Sequence, residues 1–316
     1  GLGDVYKRQR GGGRNLKLLT RNEAFTLSEV LITLGIIGIV AGLTMPSLIN
    51  NANDRKYRGA RQKALATIGG AVRNITVTEG IGNALDAEDF VENYLRKQIQ
   101  IVKTCKNNDL RSCGIETNSN AITTLTEPKT SLTMPTKIGD LANGLSSGPK
   151  TDGNSTSYGL VMSNGYSVNL FYNPNCLPDS NDNHWGQDRV CVNAIYDMNG
   201  LARPNEMGKD IGFVTIIYPD EKVVAYAPEV YKQNATGSTF DRVAGNCSAQ
   251  GKDLSVPNRD ELLSMYYNMN LLGVPGGLYW SSSDAADGKG WLQYFASGGR
   301  DRYDKSYGTN VRCIRR

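Results

Sequence analysis

From Val30 to Ile49 the chain reads VLITLGIIGIVAGLTMPSLI, twenty residues without one charged side chain. As an α-helix such a run crosses a hydrocarbon layer of about 30 Å, so the rest of the chain must fold around a segment suited to a membrane. Gly35, Gly38 and Gly42 keep its surface small, and Gly38 with Gly42 has the spacing that lets helices approach closely. Just ahead stands Glu29. An unpaired carboxylate in lipid costs at least a few kcal/mol, which predicts a positive partner for it.

The charge distribution limits what the chain binds. Residues 1–24 hold six basic groups (Lys7, Arg8, Arg10, Arg14, Lys17, Arg21) and two acids, Asp4 and Glu23, which together account for the whole net charge of +4. The remainder is balanced and lacks the basic footprint that phosphate backbones select, which excludes nucleic acid as a partner. Basic residues ahead of an apolar run stay on the cytoplasmic side. Within this leader, Gly1–Gln9 (GLGDVYKRQ) reads as non-native adapter read-through and is set aside, leaving Arg14–Ala24 as the authentic part. His184 is the single histidine, predicted in a loop; it excludes triads, Cys/His dyads and zinc sites that need another histidine. Six cysteines without a CxxC pair favour disulfides and an oxidising compartment. Cys105 and Cys113 frame a small loop that a local bridge closes, and proximity pairs Cys176 with Cys191.

The stretch EAFTLSEVLITLGIIG, residues 23–38, resembles the processing and methylation motif of type IV prepilins and of the pseudopilins of type II secretion. The resemblance implies cleavage between Ala24 and Phe25 by a prepilin peptidase, N-methylation of Phe25, and neutralisation of a neighbouring subunit's terminal amine by Glu29 on assembly. Pro46 falls twenty-one residues after Phe25, where the long helix of the family commonly bends. Ala24 departs from the family, which usually has glycine before the cut. The partners implied are other pilin or pseudopilin subunits, the peptidase, and the bacterial inner membrane, which holds the precursor before it reaches a pilus, a pseudopilus or the cell surface. The expected fold is α+β: a long helix over residues 25–80, embedded over 25–49, on the antiparallel sheet of a head spanning 81–233.

The residue pattern agrees with a continuing helix. Tyr57, Ala60, Ala64, Leu65, Ile68, Ala71, Val72 and Ile75 recur at spacings of three and four, which leaves Arg55, Lys56, Arg58, Arg61 and Lys63 as a solvated face. A second helical pattern runs through Phe90, Val91, Tyr94, Leu95, Ile99 and Val102, capped by Asp86 or Asp89. Residues 114–156, rich in Ser, Thr, Asn and Gly, read as a long connection. Strands are predicted at 157–162 and 166–172 around the turn pair Asn164-Gly165, then at 190–196, 211–218 and 222–227. DMNGLARPNEMGKD, residues 197–210, resembles a segment of bacterial pilin-like heads; Asp197, Asn199 and Asp210 offer oxygen ligands for calcium, with turn formation as the other reading.

After Gln233 the composition loosens into a predicted linker, and a second domain is expected over 234–316. VPNRDELLSMYYNMNLLG, GGLYWSSSD, GKGWLQYF and NVRCIRR resemble the C-type-lectin-like domains that end many bacterial surface proteins. That resemblance implies a Cys247–Cys313 bridge joining the ends of the domain, no cofactor, and no enzyme activity. Trp280 and Trp291 are expected in the core, with ligand stacking as the alternative. The layout is also similar to target proteins of diversity-generating retroelements, whose variable codons derive from asparagine. On that basis the ligand-binding residues expected are Asp284, Asp287, Tyr294, Ser297, Arg300, Asp301, Arg302, Tyr303, Asp304, Ser306, Tyr307 and Thr309, facing an unknown surface protein or glycan.

Overall fold

The apolar run is the first half of one 52-residue helix, α1 (Leu27–Thr78), in the computed structural model, which describes residues 26–145, 153–176, 189–218, 223–285 and 287–315. The leader, Ala24, Phe25 and His184 lie outside the described residues. The chain divides between Asn51 and Ala52 into two units.

In the first unit the most apolar window of α1 has none of its residues buried, and by length and composition the helix is able to cross a membrane. Thr26 and Glu29 close its N-terminus reciprocally: the Thr26 amide donates to the Glu29 carboxylate at 2.9 Å, and the Glu29 amide donates to the Thr26 hydroxyl at 3.2 Å. This satisfies amides that a helix start leaves without partners. Pro46 sits inside the helix, where it supplies no N–H for the carbonyl four residues back.

In the second unit the same helix turns Ala60, Ala64, Ile68, Ala71, Val72 and Ile75 inward, as the periodicity predicts. At Gly69 a Cβ would come within 2.6 Å of the Ala225 Cβ, so glycine permits a closer approach than any side chain. Arg55, Lys56, Arg58 and Lys63 are exposed, as the solvated-face reading has it, whereas Arg61 is half-buried beside Glu229, 2.6 Å away.

A short helical stretch follows: α2 (Ala87–Asp89), a wide turn at Phe90–Tyr94 and a tight one at Leu95–Lys97. Asp86 is its cap, accepting from the Asp89 amide at 2.8 Å. The expected helix does not reach Val102, which lies exposed on β1 (Ile101–Cys105), where the chain pairs with the sheet instead. After β1 come the small ribbon β2 (Ile122–Thr123) and β3 (Ser131–Leu132), then β4 (Tyr158–Met162), β5 (Ser167–Tyr172), β6 (Val190–Asp197), β7 (Ile211–Ile217) and β8 (Val224–Tyr226). The first sheet has the order β1-β4-β5-β6-β7-β8, with antiparallel neighbours throughout. Alternation along its strands sends Val192, Ala194, Val214 and Ile216 toward the α1 core, and Ile195, Phe213 and Ile217 into a second core.

That second core is shared with the C-terminal residues Leu262, Leu263, Tyr266, Tyr279, Phe295 and Ile314. The linker expected after Gln233 is replaced by a strand, β9 (Glu229–Ser238), and a helix, α3 (Phe240–Gln250). The boundary at 233/234 therefore falls inside β9. QNATGSTFDRVAGNC has no apolar period, and its extended part is held by backbone pairing to a distant strand. The remaining elements are β10 (Leu254–Ser255), α4 (Arg259–Tyr267), α5 (Met269–Leu272), β11 (Leu278–Asp284), β12 (Gly290–Tyr294), β13 (Arg300–Tyr303) and β14 (Thr309–Arg315). They form the sheet β10-β14-β11-β12-β13, with β9 added on β14. The long connection is also a packed segment: Ile115, Ile122, Met134, Leu141 and Leu145 enter the shared core, and Thr126 donates to the Gly273 carbonyl.

The cysteines close as Cys105–Cys113, Cys176–Cys191 and Cys247–Cys313. A buried polar cluster joins the two sheets' elements: Asn193 donates to Asn268 at 2.9 Å, Asn268 donates to Thr215 at 3.1 Å, and Thr215 donates to Asn193 at 2.7 Å. Truncating Asn268 to Ala leaves three buried partners, Asn193, Thr215 and the Ser264 carbonyl, short of a hydrogen bond, and a urea midpoint should fall by the equivalent of about 1–3 kcal/mol. Replacing Cys247 and Cys313, which close a 66-residue separation, should cost about 4 kcal/mol in the same assay.

Candidate ligand-binding face

The face expected to bind is built on β12 and β13. Gln293 shapes their connection: its side-chain amide donates to the carbonyls of Gly298 and Gly299 at 2.8 and 3.2 Å. Beneath lies Trp280, fully buried, whose indole N–H donates to the carbonyls of Ser238 and Tyr307 at 3.0 and 3.2 Å. It is core, as expected. Gly290 has no room for a side chain, since a Cβ would overlap the Phe240 ring and come within 2.8 Å of Trp280. These contacts position the loop 303–309 over the sheet.

Tyr294 and Tyr303 project from one side of the hairpin and join through their hydroxyls. The Tyr307 ring, 44% exposed, lies 5.2 Å from the Tyr303 ring, which makes a row of three tyrosines. Burial, with the Tyr303 hydroxyl next in effect, pushes the Tyr294 phenol above its ordinary range. At the edge of this row Lys305 donates to Asp284 at 2.9 Å while its ammonium rests over the Phe240 ring.

The opposite side pairs Trp291 with Arg302, cross-strand partners in register. Arg259 and Arg302 place their guanidiniums 5.3 and 5.9 Å from the Trp291 ring centre, and Arg302 lies 3.6 Å from Asp287. Trp291 is half-buried, which corrects its core assignment. Asp304 shapes a turn, accepting from the Ser306 amide and hydroxyl at 2.8 and 2.6 Å, and these bonds hold its carboxyl below its usual value. Asp301 accepts from the Arg302 amide at 2.7 Å.

The expected set is therefore divided. Tyr294, Tyr303 and Tyr307 come together on one side, Asp287 and Arg302 on the other, and Asp284 joins the tyrosine edge through Lys305. Arg300 and Thr309 are buried: Arg300 lies 3.6 Å from Asp260, and the Thr309 hydroxyl donates to the Leu278 carbonyl. Codon reasoning does not distinguish such anchors from displayed residues. Ser297 lies apart, its main chain against Gly144. Arg259 and Lys305 were not among the expected residues, and Trp291 was expected in the core with ligand stacking as the alternative; the Trp291–Arg302 partnership becomes readable only once the hairpin register is known.

The calcium candidate reduces to two carboxylates. Asp210 is buried and accepts from the Asn205 and Glu206 amides, both at 2.8 Å. Asp197 is buried as well and accepts from the Asn199 amide at 2.9 Å. The Asn199 side chain is exposed and donates to the Arg203 carbonyl. Among the described residues no group of three His, Cys, Asp or Glu side chains is placed to hold a metal ion.

The described chain is thus a mixed α+β protein with one long apolar N-terminal helix, antiparallel strand pairing dominating both major sheets, and three disulfides. No protein-family model matches the chain, and no curated protein matches it.

Burial, with a lesser effect from the Asp210 charge, pushes the Asp197 carboxyl from its ordinary 3.8 up to about 7. The folded state then keeps a proton that the unfolded chain releases. The Asp197 contribution to stability should therefore be full below about pH 4, fall as pH rises to about 7, and level off above it. Urea unfolding across this window checks the expectation. An Asp197→Asn variant should lose that slope and exceed the parent above pH 7 by up to a few kcal/mol; an unchanged slope would sink the assignment.

Proposed function

We propose that the chain is a type IV pilin-like or pseudopilin subunit, assembled through α1, that displays its C-terminal lectin-like module for adhesion. The observation carrying this reading is α1 itself: an uncharged, exposed first half behind FTLSE, continuous with a half that packs on an antiparallel sheet. Apolar helices with glycine-bearing faces pack side by side in a membrane or a filament shaft. In this reading Glu29, held at the helix start, meets a neighbouring subunit's terminal amine. The tyrosine row and the Trp291 pair supply aromatic and guanidinium contact area at low entropic cost, a composition suited to binding another protein or a glycan. The module acts as a binder rather than an enzyme.

A second reading follows from the same helix: a structural pseudopilin of type II secretion that works in protein export without a ligand of its own. The shared core ties the terminal module to the pilin-like sheet, which also suits a module that only braces the head.

Residues 52–316, which hold these cores, would be applied to protein and glycan arrays beside a Tyr294→Ala, Arg302→Ala, Tyr303→Ala, Tyr307→Ala variant checked for folding by melting. The expected outcome is selective binding by the parent, weakened about tenfold or more in the variant. Folded proteins that both leave every array blank would favour the structural pseudopilin. Immunogold labelling confined to filament tips would support display, and uniform labelling along a shaft would oppose it.

A further inference from the structure

A cavity of about 420 Å³ opens where α1, the loop after β6, β9 and β14 meet. Its walls carry five basic side chains: Arg58 and Arg61 from α1, Lys209 from the loop, Lys232 from β9 and Arg315 from β14. Tyr196, Phe213 and Leu272 form apolar parts of the wall. Three carboxylates share this space, Asp54, Glu206 and Glu229, and they leave the basic groups in excess.

The pairing is uneven. Glu229 alone takes three guanidiniums, Arg61 at 2.6 Å, Arg315 at 2.8 Å and Arg58 at 3.5 Å. A carboxylate has about four lone-pair directions, whereas three guanidiniums bring fifteen N–H donors. Arg315 passes part of its charge to Asp253. Glu206 is held between Lys129 and Lys209. Lys232 is exposed and pairs with no carboxylate among the described residues. The cavity thus holds cationic donors that converge from four chain segments and are incompletely matched by acids.

We propose that this cavity is a binding site for a phosphate ester. A tetrahedral phosphate presents oxygens in several directions, so donors arriving from separate elements reach it together, and arginine forks pair with it two bonds at a time. The volume exceeds what an inorganic phosphate fills, and the apolar wall suits an attached organic group. Such an ester comes either from a soluble metabolite or from a phospholipid headgroup. The second source rests on the proposed membrane insertion of α1.

The test uses the full chain in zwitterionic detergent micelles. Calorimetry and melting would be followed with inorganic phosphate against chloride at equal ionic strength, then with micelles containing phosphatidylglycerol against micelles containing a phosphate-free fatty acid at equal anionic charge. Phosphate should raise the melting temperature and release or absorb binding heat. A chain carrying Arg58→Gln and Lys232→Gln should bind about tenfold more weakly or worse, while Lys232→Gln alone, which breaks no ion pair, should weaken binding with the unliganded melting temperature unchanged. Binding to inorganic phosphate with no preference for phosphatidylglycerol assigns a soluble ester; a preference for phosphatidylglycerol assigns the headgroup. Binding to neither probe, or equal binding by parent and both variants, overturns the inference. Membrane fractionation of the chain tests the anchor separately: a chain that fractionates with membranes but binds neither probe loses this site and keeps the anchor reading.

Discussion

The hydrogen-bonded triangle of Asn193, Thr215 and Asn268 is the constraint on which the second unit depends. Its members come from β6, β7 and the end of α4, and all are buried. The Asn268 amide also donates to the Ser264 carbonyl at 2.9 Å, so the triangle fixes the end of the helix as well. A buried amide without partners is costly, which makes other registers between the first sheet and α4 unfavourable. Around it, Phe213, Leu262, Leu263, Tyr266 and Phe295 exclude water, and the apolar contact supplies the bulk of the stabilisation.

This constraint makes the first sheet and the C-terminal sheet with its helices parts of one core. The first sheet is covered on both faces, by α1 residues on one side and by α4, α5 and the 114–145 segment on the other. Strands β5 and β6 are accordingly buried along their whole length, where a one-sided head would show alternation. The proposed binding face inherits its rigidity from this arrangement. Trp280 ties the loop before β14 to β9, and Gly290 lets Phe240 and Trp280 close the space behind the tyrosine row. A binding surface on a braced sheet loses less freedom when it meets a partner than one on a free loop.

The cavity at the α1–β9–β14 junction is a second consequence. Glu229 opens β9, the strand that adds the C-terminal sheet's edge, and it receives arginines from both α1 and β14. Ion pairs of this partly exposed kind contribute little to stability individually. Their effect is to gather positive charge at one place, beside the helix turns that follow the apolar run.

Local chemistry was legible in the sequence where neighbours along the chain decide it. The apolar run marks α1, the three-and-four spacing marks the inward face from Ala60 to Ile75, and Asn164-Gly165 marks the β4–β5 turn, where Gly165 takes a φ of 85°. The Asp86 cap follows the same rule. The sequence did not reveal β9, because QNAT carries no strand period and owes its form to pairing with β14, some eighty residues on. Nor did it separate the buried Arg300 from the exposed Arg302, two positions apart on one short strand. Burial there depends on the presence of α4 and Asp260 beside one of them. Side-chain type and spacing along the chain therefore set the helices and turns of this protein by themselves. The shared core, the divided binding face and the basic cavity were decided by tertiary contacts, since each joins residues whose proximity no local pattern encodes.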